Sequence, residues 1–360
     1  MRNKKSYLII GLLVVVAGAF VYSTFNPSSV DTSTPQLNAY FTNPGNFTVA
    51  YQKNFSAPLT VLPEQKKISV FLNDSLIFEQ NKPSKSLPIS ILTKGLSLGA
   101  YRLRVISTAN DGTITEDERV LTVVSDIVPA NWNLSILKSY PHNDSSFTQG
   151  LVFSEGKMFE GTGDPMNIGA TFVGEVELST GKILRRRTKA TPIFGEGITV
   201  LNGELFQITW KNDSCFVYDE RTLKPLRTHN YTGEGWGLTH DGKHLIMSDG
   251  TSRITFRNPR SFEIQRTIDV YNHQGPILQL NELEYIDGLL YANVWMSNVI
   301  AVIDPKNGRV VATIDATDLV KTGKGSGEVL NGIAYNSKSN KTYLTGKYWP
   351  SIFEVQISRN

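Results

Sequence analysis

The sequence predicts an all-β protein, a five-bladed β-propeller preceded by a small immunoglobulin-like β-sandwich. Three observations lead there. From about Asn133 onward the chain has hardly any helical periodicity, and in its place a strand–turn–strand segment recurs five times at spacings of about 40 to 50 residues. Ahead of the repeat lies a stretch of short alternating strands separated by turn residues. With 360 residues and 40% hydrophobic content, the chain can bury a large core and is expected to form two domains.

The first element is "MRNKKSYLIIGLLVVVAGAFVYSTF", residues 1–25, a basic start followed by an apolar run over residues 7–22. This reads as an export signal, either cleaved after the small residues near Ala17–Ala19 or retained as a short membrane anchor. No cysteine follows it, which argues against a lipoprotein anchor. Residues 26–36, "NPSSVDTSTPQ", are rich in Pro, Ser and Thr and read as a flexible linker. The expected location is therefore periplasmic or extracellular, with a membrane tether if the segment is not removed.

Residues 37–127 carry the runs "FTVAY", "KISVFLN", "SLIFEQ", "YRLRVIS" and "RVLTVV", split by turns such as Asn73-Asp74 and Asp111-Gly112. About seven short strands in roughly ninety residues is the immunoglobulin-like pattern. No polar chemistry clusters there, so a spacer or docking role is expected. "IVPANW" marks the boundary to residues 133–360.

In that second part five segments superpose: "QGLVFSEGKMFEGTG", "EGITVLNGELFQITW", "WGLTHDGKHLIMSD", "NELEYIDGLLYANVW" and "NGIAYNSKSNKTYLTGK". The first four are each followed by a further alternating hairpin, giving four strands per unit. In a propeller the first strand of each blade lines the central channel. Gln149, Glu196, Trp236, Asn281 and Asn331 open those strands and should ring one mouth. Gly163, Trp210, Asp249, Trp295 and Lys347 close the second strands and return to it.

Such a ring joins a few polar groups to much aromatic surface. Phe147 and Phe194, each two residues ahead of a ring residue, extend the wall. An apolar pocket with few polar groups is the usual form of a ligand site. Glu196 inside it would be desolvated and its pKa raised, which suits a carboxylate that takes and returns a proton near neutral pH. Lys347 offers the opposite charge, and Gln149, Asn281 and Asn331 supply neutral donors and acceptors. The bland alternative is a blade-tying ion pair between Glu196 and Lys347, with tryptophans that only pack.

Other chemistries fail on inspection. Lys plus Arg exceed Asp plus Glu by only three, with no long basic run, so no nucleic-acid partner is expected. The five histidines are scattered without zinc-ligand spacing, and no metal or cofactor is expected. "GKGSGE" lacks the Lys-Ser/Thr pair of a phosphate loop, "GTGDPMNIG" opens no helix, and no Gly-X-Ser-X-Gly elbow occurs. The single cysteine, Cys215, sits in the alternating run "SCFVYD" and reads as a small core residue. Asp249 fits a turn better than a metal site, and a lactone hydrolase with a channel metal would need more carboxylates than this ring offers.

Taken in order, "FTQGL", "FGEG", "WGL", "MSDGTS", "LNELEY", "LNGIAY" and "TGKYWP" resemble the plant and bacterial type of glutaminyl-peptide cyclotransferase, the glutamine cyclotransferase family. The resemblance runs from about Tyr140 to Val355 and leaves the sandwich uncovered. It implies a five-bladed propeller unrelated to the zinc-dependent animal enzymes of the same activity. It also implies a catalytic Glu196, pocket aromatics at Phe147, Phe194, Trp210, Trp236 and Trp295, and polar site residues at Gln149, Asn281 and Lys347. The stretches "GTGDPMNIGATF" and "DLVKTGKGSGEVLN" depart from the family and are expected to rim the mouth, where they would bear on peptide preference.

The implied reaction converts the N-terminal glutamine of a peptide or protein to pyroglutamate and releases ammonia. Glu196 would shuttle the proton, with Lys347 and Asn281 as candidates for stabilising the oxyanion. A monomer is expected. The competing expectation is a non-catalytic propeller that recognises a peptide or glycan at the same aromatic mouth, since the fold alone decides no function.

Overall fold

The computed structural model describes residues 36–359. The predicted export segment and all but the last residue of the predicted linker lie outside the described residues. Within them the protein is all-β, built from several sheets of mostly antiparallel strands and one short helix, Thr317–Gly323.

The N-terminal part has eight strands in place of the expected seven or so. A three-stranded sheet joins Ala39–Phe41, Asn54–Val61 and Ser86–Leu92; a five-stranded sheet orders Phe47–Ala50, Ile114–Val124, Gly99–Ala109, Gln65–Leu72 and Ser75–Asn81. Alternation does the folding here. In Asn54–Val61 and Ser86–Leu92 every second residue is buried, so Ala57, Leu59, Leu87 and Ile89 meet Ile68, Val70, Leu103, Val105 and Leu121 of the other sheet in one core. Tyr271 from the second part packs into that core, and Arg309 pairs with Asp126 at 3.1 Å, which fastens the two parts together.

The second part contains five four-stranded units, and its first strands explain the site. They are Thr148–Ser154, Gly195–Leu201, Leu238–His240, Leu280–Ile286 and Leu330–Asn336, each hydrogen-bonded antiparallel to the next strand in sequence. Each also neighbours the first strand of the following unit, and the last returns to the first, so the five close a cycle. These strands read as near-continuous buried runs because they are covered on both sides.

Closure uses a strand that the repeat pattern did not contain. Ala130–Pro141 precedes every unit in sequence but pairs antiparallel with Ser351–Ser358, completing the fifth unit. Three residues of the same strand also run parallel to Ala312–Ile314, so the fourth and fifth units merge into one eight-stranded sheet. Joining the chain's early strand to its final one ties the ring shut, because opening it would expose a ladder of backbone hydrogen bonds.

Candidate active site

Four of the five first strands carry a break in register at their entrance: between Thr148 and Gly150, Gly195 and Ile198, Leu280 and Leu283, and Leu330 and Ile333. Gln149, Glu196, Asn281 and Asn331 all fall inside those breaks. A bulge leaves its extra residue out of the ladder and re-aims its side chain, so the same local distortion presents all four polar groups. The third strand has no break and presents Trp236 ahead of Leu238.

The glycines of "FGEG" have a steric reason. A Cβ on Gly197 would lie 2.4 Å from the Leu238 backbone nitrogen, and one on Gly195 would lie 2.7 Å from the Thr162 carbonyl oxygen. The next first strand crowds Gly197, and the end of the first unit's second strand crowds Gly195, so neither position has room for a side chain and Glu196 is the only one the triplet presents.

A backbone pattern repeats around the same end of the molecule. Gly163 N–H donates to Phe147 C=O, Trp210 N–H to Phe194 C=O, Trp295 N–H to Gln279 C=O and Lys347 N–H to Val329 C=O, all at 2.9–3.0 Å. In the third unit Trp236 N–H donates to Ser248 C=O at 3.0 Å. Four of the five strand-closing residues, Gly163, Trp210, Trp295 and Lys347, therefore return to the end where the bulged residues sit, and in the third unit Ser248 takes the place expected of Asp249.

Glu196 is buried and accepts one side-chain hydrogen bond, from Gln149 Nε2 at 2.9 Å. Gln149 Oε1 in turn accepts from Asn331 Nδ2 at 3.2 Å. Burial pushes the Glu196 carboxyl well above the ordinary range, opposed by Lys347 and reinforced by the charge of Glu234. Lys347 is buried too, and burial lowers its ammonium against the opposing charges of Glu196 and Glu328. Its Nζ lies 4.5 Å from the centre of the Phe147 ring. The two charges influence each other without forming an ion pair among the described residues, so the blade-tying salt bridge is not what holds them. The buried amide oxygens of Asn281 and Asn331 have no hydrogen-bond partner among the described residues.

The aromatic wall forms two groups. Phe147 packs edge-on to Phe194 at 6.0 Å, Phe194 to Trp210 at 5.6 Å, and Phe147 against Tyr348 at 5.1 Å. Trp236 and Trp295 stand perpendicular at 5.6 Å. Gly163 is vacant because Phe194 fills the space, its ring 2.4 Å from where a Cβ would be. Asp249 caps a turn by accepting from the backbone and hydroxyl of Thr251. Cys215 is fully buried, and burial raises its thiol pKa.

The sequence reading missed three carboxylates and a tyrosine. Glu234 accepts from the indole N–H of both Trp210 and Trp236. Its signal was present: "GEG" occurs again at Gly233–Gly235. Tyr348, beside Lys347, joins the wall. Glu282 and Glu284 correct the view of a ring poor in carboxylates, since both are buried on the strand that carries Asn281. Their oxygens stitch first strands together: Glu282 accepts from Leu151 N–H at 3.2 Å and Ile333 N–H at 2.8 Å, Glu284 from Tyr335 N–H at 2.9 Å and Thr239 Oγ1 at 3.1 Å. No cluster of three or more His, Cys, Asp or Glu suited to a metal ion occurs among the described residues.

Comparison with known proteins identifies the family. A glutaminyl-peptide cyclotransferase of Arabidopsis thaliana is 36% identical over 234 residues, which cover 63% of this chain and 72% of that protein. The crystal structure of Myxococcus xanthus glutaminyl cyclase aligns with a TM-score of 0.60 at 35% identity, over 64% of this chain and 98% of that one. The glutamine cyclotransferase family profile matches residues 108–357, more than half of the sequence, and the chain belongs to that family of enzymes.

Proposed function

We propose that this chain is a metal-independent glutaminyl-peptide cyclotransferase whose proton shuttle is Glu196. The single observation that carries the assignment is the state of that carboxylate: buried, raised in pKa and, among the described residues, hydrogen-bonded by the side chain of Gln149 alone.

The chemistry asks for such a group. The substrate's α-amine, with a pKa of about 7.7 to 8, must attack its own side-chain carboxamide as the free base. A carboxyl group of ordinary acidity would be a poor acceptor for that proton; one raised by burial is better matched to it. Glu196 accepts the proton as the bond from the α-nitrogen to the amide carbon forms. It then delivers a proton to the amide nitrogen, which leaves as ammonia when its bond to that carbon breaks. Holding the side chain folded back on its own amine supplies the proximity, and the wall of Phe147, Phe194, Trp210, Trp236 and Trp295 supplies the hold and excludes water.

Lys347 has no hydrogen-bond partner for its Nζ among the described residues and stabilises the tetrahedral oxyanion. The partnerless amide oxygen of Asn281 accepts a substrate N–H.

The same reading takes the cycle of five units as a five-bladed β-propeller, supported by the ring of first strands. The N-terminal sheets are then an immunoglobulin-like spacer packed against it, and residues 1–25 direct export to the periplasm or cell exterior, with residues 7–22 a tether if retained. Substrates are peptides or proteins with N-terminal glutamine, taken by a monomer.

Ammonia release from a short N-terminal-glutamine peptide, measured with the full chain in the presence of a chelator, tests this. Turnover that survives the chelator and is lost in Glu196→Gln supports it. A folded chain that binds such peptides without releasing ammonia would return the mouth to a binding module.

A further inference from the structure

Counting two residues back from each strand-opening position gives Phe147, Phe194, Glu234, Gln279 and Val329. Two units place an aromatic wall residue there; the third places a carboxylate. That carboxylate is tied to the wall by name. One oxygen, Oε2, accepts from Trp210 Nε1 at 2.8 Å and from Trp236 Nε1 at 3.0 Å. The other, Oε1, pairs with Lys211 Nζ at 3.3 Å, and Lys211 lies over the Trp210 ring with Nζ 4.1 Å from its centre.

Among the described residues one side chain links the two aromatic groups by hydrogen bonds, and it is Glu234. Trp210 belongs to the Phe147–Phe194 group and Trp236 to the Trp295 pair. Trp210 is 36% exposed, so packing alone leaves its indole free to swing. A carboxylate accepting two indole N–H bonds fixes both rings about their side-chain torsions. Resting on the cyclotransferase reading of this mouth, we propose that Glu234 is a positioning and recognition residue: it sets the spacing of Trp210 and Trp236 and its negative charge draws in the substrate's α-ammonium.

The charge balance fits. The Glu234 side chain is 38% exposed whereas Glu196 is buried, so Glu234 is the carboxylate of the two that solvent and solutes can reach. Burial raises its carboxyl, but the two indole N–H groups and Lys211 outweigh that and hold it below the ordinary value, so it stays anionic. The groups facing it are Lys211 and the two indoles, with Glu196 deeper in the mouth.

Two substitutions in the full chain separate the roles. Glu234→Gln keeps an oxygen for both indoles and removes the charge. Its KM for an N-terminal-glutamine peptide should rise roughly three- to fivefold, the size of a partly exposed charge interaction, while most of kcat remains. The KM of the unsubstituted chain should climb with ionic strength and that of Glu234→Gln should not. Glu234→Leu removes the anchor as well, so kcat should fall by about tenfold to a hundredfold as the indoles lose their spacing. Acrylamide should then quench the mouth tryptophans more readily.

Glu234→Leu with unchanged kcat and unchanged quenching would overturn the positioning role. Glu234→Gln with an unchanged KM and salt dependence would overturn the recognition role, and it remains informative if Glu234→Leu fails to fold. An unsubstituted chain without turnover counts against the reaction itself; a working chain indifferent to both substitutions counts against Glu234 alone.

Discussion

Gln149 Nε2 donates to Glu196 Oε1 across 2.9 Å, from the first strand of one unit to the first strand of the next. This bond is the only side-chain hydrogen bond that Glu196 accepts among the described residues, so it is the one protein contact that favours the ionised carboxylate by hydrogen bonding.

Gln149→Leu should therefore raise the Glu196 pKa further. The acid limb of kcat/KM moves to higher pH, and activity below that limb falls about tenfold, as expected for losing a hydrogen bond to a charged group. A pH–rate profile of the two proteins checks this; a limb that stays in place would dissociate Gln149 from the shuttle.

Glu196→Gln preserves shape and the contact with Gln149 while removing the base. Turnover should drop by roughly a hundredfold to ten-thousandfold with peptide affinity retained, measurable by single-turnover kinetics alongside binding. Loss of binding without a change in kcat would be the wrong outcome.

Lys347→Met should lower kcat by about a hundredfold if its ammonium meets the oxyanion. It also removes the charge that opposes Glu196's raised pKa, so the acid limb should shift upward in the same variant. A variant altered only in KM would assign Lys347 to binding.

Glu284 carries a stability prediction. Burial pushes its carboxyl from an ordinary 4.5 up to about 8. The folded chain thus holds a proton that the unfolded chain has lost, and this group's contribution to stability is full below pH 4.5 and is lost as pH rises through 8. Glu284→Gln should leave Tm unchanged near pH 4 and raise it by at least about 2 °C at pH 8.5. Equal Tm shifts at both pH values would point to packing.

Gly197→Ala tests the strand approach. A Cβ placed 2.4 Å from the Leu238 nitrogen forces two first strands apart, at a cost of roughly 1–3 kcal/mol. Denaturant unfolding measures it, and activity should fall with the displaced Glu196.

Much of the site was legible because each ring residue opens a hairpin whose apolar alternation repeats. That is how Gln149, Glu196, Asn281, Asn331 and Lys347 could be gathered from positions nearly two hundred residues apart. Glu234 escaped because its partners, two indole N–H groups, lie on different units. Glu282 and Glu284 escaped because alternation treats a charged residue in a strand as solvent-facing, whereas these two are buried and bonded to backbone N–H groups of other strands.

The sequence by itself determined the β periodicity, the number of repeats, the glycines flanking Glu196 and the polar residue at each strand entrance, because these are local patterns of side-chain size and polarity. Only the tertiary structure decided that Ala130–Pro141 closes the fifth unit and that Asn281 and Asn331 keep partnerless oxygens. It also decided that Glu196 and Lys347 are both buried and feel each other's charge without forming an ion pair among the described residues. Those features depend on distances between residues far apart in the chain, which are set only when the first strands come together.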